Sequence, residues 1–499
     1  MRGSLFDEHG EAQTTSQASY CPCYLGDGLV EQNPETWAAA LFAVTREIVQ
    51  WSERSNASID AVSVTAQRSS AIPVDQNGVP LYNAIMWQDL RSSQICNSMQ
   101  AHTAAVYEKT GLRISPVFAA PKFSWFQQQE PCIYRNAYKL LVIPDYLIFL
   151  MTGKFVTDFT YGSRTLLMDL HSLEWDDDLL KLFKLDKEKL CCLKRQGSVI
   201  GHTTESFKSR TGIRIGTPVV TAGGDQQCAA LGAGVMKNGS VQVTTGTGSF
   251  VIASSDELKL DPEMRVLCNV SAIPGKFILE ASILTTSALY SWIANTLYGE
   301  GAGKSEIFHR LEEEANSSPV GSNGVITLPY FQGRGSSDWN TLAKGSFSNI
   351  TLATTRGDLA RSVLEGIAAE IAENVDLLVE HRGEIDTVLV AGGLTNLPLF
   401  NQIQADMYNR SILLPSNKET TSLGAWVSAA VALGIHTTYA SAWEVATKGS
   451  SAMTYSPIEK NVEIYQRLKA DKEHLYKVLE SAGVYTRSLA FQTHATRNI

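Results

Sequence analysis

Short apolar runs and longer helical stripes alternate along the chain. "DAVSVTA" (60–66) has the period and composition of a strand, and "KLLVIPDYLIFLMTG" (139–153) reads as a strand turning into a helix. "GTPVVTAGGD" (216–225) is a buried strand that delivers two glycines and a carboxylate to an alanine-rich helical pattern. Just beyond it, "GSVQVTTGTGSFVIAS" (239–254) alternates around Gly246 and Gly248 in the manner of a hairpin with a glycine-rich tip. In "RGDLARSVLEGIAAEIAENVDLLVEH", Leu359, Val363, Ile367, Ile371, Val375 and Leu378 recur at helical spacing and predict a core helix. There follow a strand "DTVLVAGG", a helix after Pro398, a strand "SILLP", and a helix through "TSLGAWVSAAVALG". The last pattern, "NVEIYQRLKADKEHLYKVLESAG", predicts an amphipathic helix with Val462, Tyr465, Leu468, Leu475, Tyr476 and Leu479 inward and charges on its other face. This alternation predicts an α/β architecture. The turn-rich "GAGVMKNGSV" (232–241) marks the join of two lobes, 1–236 and 237–499.

Composition narrows the partners. A chain of 499 residues, 44% hydrophobic, is long enough for two cores, since single cores stop growing at roughly 250–300 residues. The balance of 42 Lys+Arg against 51 Asp+Glu, formal net charge -9, argues against a large nucleic-acid or anionic-membrane face and leaves a small molecule as the expected partner. No apolar run reaches the roughly 20 residues of a membrane helix: "LLVIPDYLIFLM" is short and carries Pro144 and Asp145. The opening "MRGSLFDEHG" has no apolar signal core, so a cytoplasmic protein is expected. Eight scattered cysteines without histidines at ligand spacing read as free thiols rather than a metal site.

Three glycine-rich turns, each after a strand, carry the candidate chemistry. Asp225 sits on the Gly223–Gly224 hinge where a helix presents unpaired N–H groups; a plain N-cap would also use an aspartate there. "TTGTGS" (244–249) offers backbone donors with the Thr245, Thr247 and Ser249 hydroxyls, a nest suited to phosphate, though a simple tight hairpin has the same pattern. "VAGGLTN" (390–396) ends a strand at Gly392 and Gly393 and enters a helix, the geometry that lets a nucleotide lie against backbone. Together they form a set for phosphoryl transfer, with a carboxylate to accept a hydroxyl proton and backbone to hold the phosphate. Neither a GxxxxGK[ST] loop nor a protein-kinase HRD and DFG pair occurs.

The same stretches, with "EQNPETW" (31–37), "AQRSSAIPVDQNGVPLYNAIMWQDLRS" (66–92), "TGLRISPVFAAPKFSWF" (110–126), "TDFTYGSRTLLMDL" (157–170), "LPYFQGRGSSDWN" (328–340) and "ETTSLGAWVSAAVALG", resemble the FGGY family of carbohydrate kinases over nearly the whole chain, and among its members the glycerol kinases most. The resemblance implies two ribonuclease-H-like lobes of the actin, sugar kinase and heat-shock ATPase superfamily around a central cleft. It implies an N-terminal lobe for the carbohydrate and a C-terminal lobe for ATP, with Mg²⁺ as cofactor. Asp225 matches the family's catalytic base, also taken as a magnesium ligand, and Gln226 matches a neighbouring substrate contact. Arg68 and Trp87 match residues lining the polyol pocket, and Phe250 matches a pocket aromatic, although a phenylalanine after a hairpin is more often core. Gly246, Thr247 and Gly248 match the phosphate-side turn, Gly392 and Gly393 the adenosine-side turn. Many relatives are dimers or tetramers, which leaves a homo-oligomer open.

The match has two departures. Where glycerol kinases read glycerol with an Arg-Glu pair and a tyrosine, this chain has Arg68-Ser69 and Val117, which points away from glycerol toward a longer polyol, a pentulose such as xylulose, or another small hydroxylated ligand. The family's opening strand and D-x-G-T-x-S-x-R loop align here only at their tail, with Arg2 at the arginine. The expectation is that the start was assigned too late. The alternative is a relative that keeps the ligand cleft, cannot transfer phosphate, and acts as a binding or regulatory module. A heat-shock-type ATPase is a remoter reading, opposed by Arg68, Trp87 and the "WQDLRS" context.

Overall fold

The computed structural model describes residues 1–236, 239–299, 304–383, 385–417 and 419–487. Part of the proposed join, residues 237–238, lies outside them. The chain divides into two compact units. The first comprises Met1–Met236, Ser254–Ile278 and Glu419–Gly449; the second comprises Lys237–Ala253, Leu279–Lys418 and Ser450–Ile499. The chain therefore returns twice to the first unit after leaving it at Met236.

In the first unit, the short strand Val62–Val64 runs parallel to Pro218–Thr221, which pairs antiparallel with Ser198–His202. Alternating apolar residues of these strands bury Val64 and Val219 in a core with Trp37, Ile72, Leu141 and Ile148. The helix Pro34–Arg54 closes one side of that core; it starts where the Asn33 side chain accepts the Glu35 amide and proline occupies its first position. At the start of the chain, Arg2–Phe6 and Ala12–Gln17 form an antiparallel hairpin, with Arg2 paired to Glu419. The helices Asp225–Ala233 and Thr420–Ala432 pack backbone to backbone: a Cβ added at Gly232 would lie 1.9 Å from the Thr420 carbonyl oxygen, and one at Gly424 would lie 1.9 Å from that of Cys228. Anything larger than glycine at either place would push the helices apart.

The sheet of the second unit is ordered Phe277–Ile283, Ser249–Ser255, Ser240–Thr245, Thr387–Gly392, Ile412–Pro415, Ala452–Tyr455. The hairpin expected around Gly246 and Gly248 forms as Thr245 faces Ser249, and Ser240–Thr245 runs parallel to Thr387–Gly392. The helix Arg356–Arg382 begins in a capping box of Thr355 and Asp358 and buries Leu364, Ile367, Ile371 and Leu378.

The helix Glu459–Ser481 buries Tyr465, Leu468 and Tyr476 as its stripe predicts. One part of that expectation is corrected: its charges do not all face outward, because Lys472 is fully buried. Lys472 Nζ donates to Glu370 at 2.5 Å and to Glu373 at 2.9 Å. Arg334 joins the same carboxylates, with Nε donating to Glu370 at 3.1 Å and Nη2 to Glu373 at 2.5 Å and Glu473 at 2.8 Å. Its guanidinium lies 4.2 Å from the Tyr476 ring centroid. A charge is tolerated in the core only when paired and hydrogen-bonded, and here partners from three distant segments supply that.

Candidate active site

The first unit holds the acid. The Pro218–Thr221 strand ends in Gly223, whose φ of +112 is a region L side chains avoid, and Gly224 then caps the helix that Asp225 opens. The cap is thus Gly224, and the Asp225 carboxylate is left to accept the Gln226 amide at 2.8 Å. A third of its side-chain surface stays open (34%), with Arg68 Nε 3.7 Å from Oδ1. Arg68 is otherwise buried and its Nη1 donates to Gln227 Oε1 at 3.4 Å. A Cβ at Gly224 would come within 2.9 Å of the Arg68 side chain, so the small hinge residue is what lets the guanidinium lie beside the acid.

Gln226 Oε1 is buried and has no hydrogen-bond partner, which leaves an acceptor suited to a ligand hydroxyl one residue from the acid. Ser69, next to Arg68, is buried with φ +71. Backbone strain of this kind in a non-glycine residue collects at functional sites. The Arg68 and Trp87 segments run together: Ala71 and Ile85 exchange backbone hydrogen bonds at 2.9 and 3.0 Å, and the Trp87 amide donates to Ser70 Oγ at 3.1 Å. Trp87 is 41% exposed. Asp225, Gln226, Arg68 and Trp87 all belong to the first unit.

Phe250 belongs to the second unit, opposite Thr244 on the hairpin, and is partly buried. That unit also holds both glycine turns. Thr245 is in parallel register with Gly392, so the two turns leave adjacent strands at the same end of the sheet. Gly392 has φ +100, and a Cβ there would sit 2.1 Å from the Thr245 carbonyl oxygen. Gly393 has open space around its Cα and begins the short helix Gly393–Asn396. The Gly246–Gly248 turn closes on itself through Gly246 N–H donating to Gly248 O at 2.8 Å.

Several residues that support these parts escaped the sequence reading. The helix Ser287–Tyr298 begins against the Gly246–Gly248 turn: Thr286 N–H donates to Thr247 O at 2.8 Å, Ser287 N–H to Gly246 O at 3.0 Å, and Thr286 Oγ1 to Gly246 O at 2.8 Å. Lys122 is fully buried and donates to the Pro116, Val117 (2.8 Å) and Phe118 (3.0 Å) carbonyls, fixing the backbone of the Val117 wall; burial pushes its amine down to about 7. The Thr160 and Tyr161 side chains reach the Gly223–Gly224 hinge, and Asp158 holds Thr221 just before it. The only sequence signal for them was the Asp-x-Thr pair of "TDFT", typical of a helix start.

Among the described residues, no three His, Cys, Asp or Glu side chains gather where they could hold a metal ion, and no helix is long and apolar enough to cross a membrane. Cys96, Cys191, Cys228 and Cys268 are buried, and the other four cysteines are exposed.

The α/β fold matches solved structures of sugar kinases. The models of the FGGY family of carbohydrate kinases match residues 1–232 with the N-terminal domain and 241–433 with the C-terminal domain, and the chain belongs to this family. Its curated relatives include the glycerol kinase of Thermococcus kodakarensis, 34% identical over 87% of this chain and 86% of that one. The glycerol kinase of Clostridium beijerinckii is 31% identical over 95% and 94%. Among solved structures, xylulose kinase from Lactobacillus acidophilus shares the fold at TM-score 0.90 with 24% identity, covering 97% of each chain. Plasmodium falciparum glycerol kinase with ADP matches at TM-score 0.85 and 26% identity over 95% of this chain and 96% of that one. The protein is a carbohydrate kinase built from two FGGY domains.

Proposed function

We propose that this kinase moves the terminal phosphoryl group of ATP onto a hydroxyl of a small sugar or polyol, with Asp225 as the base. The observation that carries this reading is the Asp225 carboxylate on its hinge, a third of its side chain open, with Arg68 Nε 3.7 Å away and the buried, partnerless Gln226 Oε1 beside it. Arg68 and Gln226 hydrogen-bond the acceptor's hydroxyls, and the exposed Trp87 indole covers its carbon chain. Asp225 takes the proton of one hydroxyl as that oxygen bonds to the γ-phosphorus, and the bond from phosphorus to the β,γ-bridging oxygen breaks to release ADP.

On the nucleotide side, the Gly246-Thr247-Gly248 turn takes the phosphates and the Gly392-Gly393 turn lies against adenosine. Phe250, on the hairpin strand that follows the phosphate turn, lines the pocket. Mg²⁺ is commonly held by one or two carboxylates together with substrate phosphates, and a lone Asp225 fits that donor set; when bound it neutralises charge developing on the transferred group. With Ser69 in place of a carboxylate and Val117 in place of a phenol, the pocket favours acceptors larger than glycerol, such as a pentulose or a longer polyol.

Purified protein with ATP and Mg²⁺ is tested against glycerol, erythritol, ribitol, D-xylulose, L-xylulose and gluconate by ADP release. Turnover with a larger acceptor above that with glycerol supports the reading in full. Saturable acceptor binding without ADP release from any of them would favour a binding or regulatory module instead.

A further inference from the structure

The hinge that presents Asp225 is held by side chains 60 and more residues away in sequence. Asp158, fully buried, ends the Val156–Asp158 strand and caps the short helix after it. Its Oδ1 accepts the Thr160 amide at 2.8 Å and the Thr160 hydroxyl at 2.5 Å, and its Oδ2 accepts the Thr221 hydroxyl. A hydroxyl has one proton, so once Thr160 gives it to Asp158 its oxygen can only accept from elsewhere. What it accepts is the Gly224 amide, at 2.9 Å.

Tyr161 completes the hold. Its hydroxyl donates to the Gly223 carbonyl at 2.8 Å and accepts the Ala66 amide at 2.9 Å, while the Ala66 carbonyl accepts the Asp225 amide at 3.0 Å. Thr65 Oγ1 donates to the same Gly223 carbonyl at 2.8 Å. Gly223 is pressed against Thr160: a Cβ there would lie 3.2 Å from Thr160 Cγ2 and 3.3 Å from its Oγ1. Thr221, Gly223, Gly224 and Asp225 are thus each tied by a hydrogen bond, in a place where an unpaired buried group is costly.

Resting on the reading of Asp225 as the base, we infer that Asp158, Thr160 and Tyr161 are positioning residues: a hydrogen-bonded clamp on the Gly223–Gly224 hinge that fixes where the Asp225 carboxylate stands. Burial pushes the Asp158 carboxyl above its usual range, and its hydrogen bonds from Thr160 and Thr221 favour the ionised form that lets Thr160 accept from Gly224. None of the three touches the acceptor in this account. They act through backbone.

The test uses the full chain with Thr160→Val, Thr160→Ser and Tyr161→Phe. ATP is supplied with D-xylulose or glycerol, whichever the wild type turns over. A carboxylate displaced by a fraction of an ångström costs rate rather than binding, so Thr160→Val should lower kcat by about 30-fold and leave KM for ATP and acceptor within about twofold. Thr160→Ser, which keeps the hydroxyl, should recover kcat to within about threefold, and Tyr161→Phe should lower it about tenfold. A merely structural role would lower the folded fraction and leave kcat per folded molecule intact in all three, which would overturn the clamp.

Hydrogen exchange at the Gly224, Asp225 and Gln226 amides supplies a readout that needs no turnover. Thr160→Val should speed it at least about tenfold while leaving the Arg356–Arg382 helix unchanged. If the wild type phosphorylates no acceptor of the panel, the functional reading falls and exchange alone decides the clamp. Unchanged exchange at those amides overturns it.

Discussion

Two carboxylate sites in this molecule are built in opposite ways. In the second unit, Glu370 is sealed from water and its two oxygens take Arg334, Lys472 and the Tyr330 hydroxyl, with bonds of 2.5 to 3.1 Å. In the first unit, Asp225 keeps a third of its side-chain surface open, accepts the Gln226 amide at 2.8 Å, and has Arg68 Nε 3.7 Å from Oδ1. The saturated site leaves no capacity for a ligand, and so its work is to fasten the C-terminal helix to Arg356–Arg382. The open one stays within reach of solvent. Degree of exposure, more than charge, separates the two acids.

The comparison breaks most sharply at Asp225. Asp225→Asn preserves volume and should lower kcat about 1,000-fold, the scale of a lost general base, with an unchanged melting curve. Lys472→Met should do the reverse. Removing one partner of a buried pair costs about 3–5 kcal/mol, so the melting temperature should fall by several degrees while KM and kcat of the folded enzyme hold.

Gly392→Ala tests the nucleotide side. It forces a Cβ to 2.1 Å from Thr245 O at φ +100, and should cost about 1–3 kcal/mol and raise KM for ATP more than for the acceptor. The smallest effect is in acid. Burial pushes Glu370 up, but Arg334 and Lys472 outweigh it and hold the carboxyl at about 2, below its ordinary 4.5. A depressed folded value stabilises above the unfolded one, so this contribution is complete at neutral pH and is lost as pH falls from about 4.5 toward 2. Melting curves across that window should show a steeper loss for the wild type than for Glu370→Gln.

What the sequence made legible was local. Period-two and period-3.6 patterns marked the strands and helices, and glycines after strands marked both turns; the parallel register of Thr245 with Gly392 then brings those turns side by side. What stayed hidden depends on partners far along the chain. Thr160 and Gly224 are 64 residues apart, and nothing in "TDFT" announces that its hydroxyl will hold a glycine hinge. Lys472 looked like one more surface charge on an amphipathic helix, because its neutralising Glu370 lies 102 residues away. The two returns of the chain to the first unit, 254–278 and 419–449, were invisible for the same reason: a re-entry is set by packing.

The most direct measurement is phosphorus NMR of the products formed from ATP, Mg²⁺ and D-xylulose or glycerol by the wild type and by Asp225→Asn. A phosphomonoester of the acceptor appearing one-for-one with ADP in the wild type, and absent over the same time in the variant, is the expected result. Inorganic phosphate in place of the ester, or ester formed by the variant at the wild-type rate, would contradict the assignment of Asp225 as the group that takes the acceptor's proton.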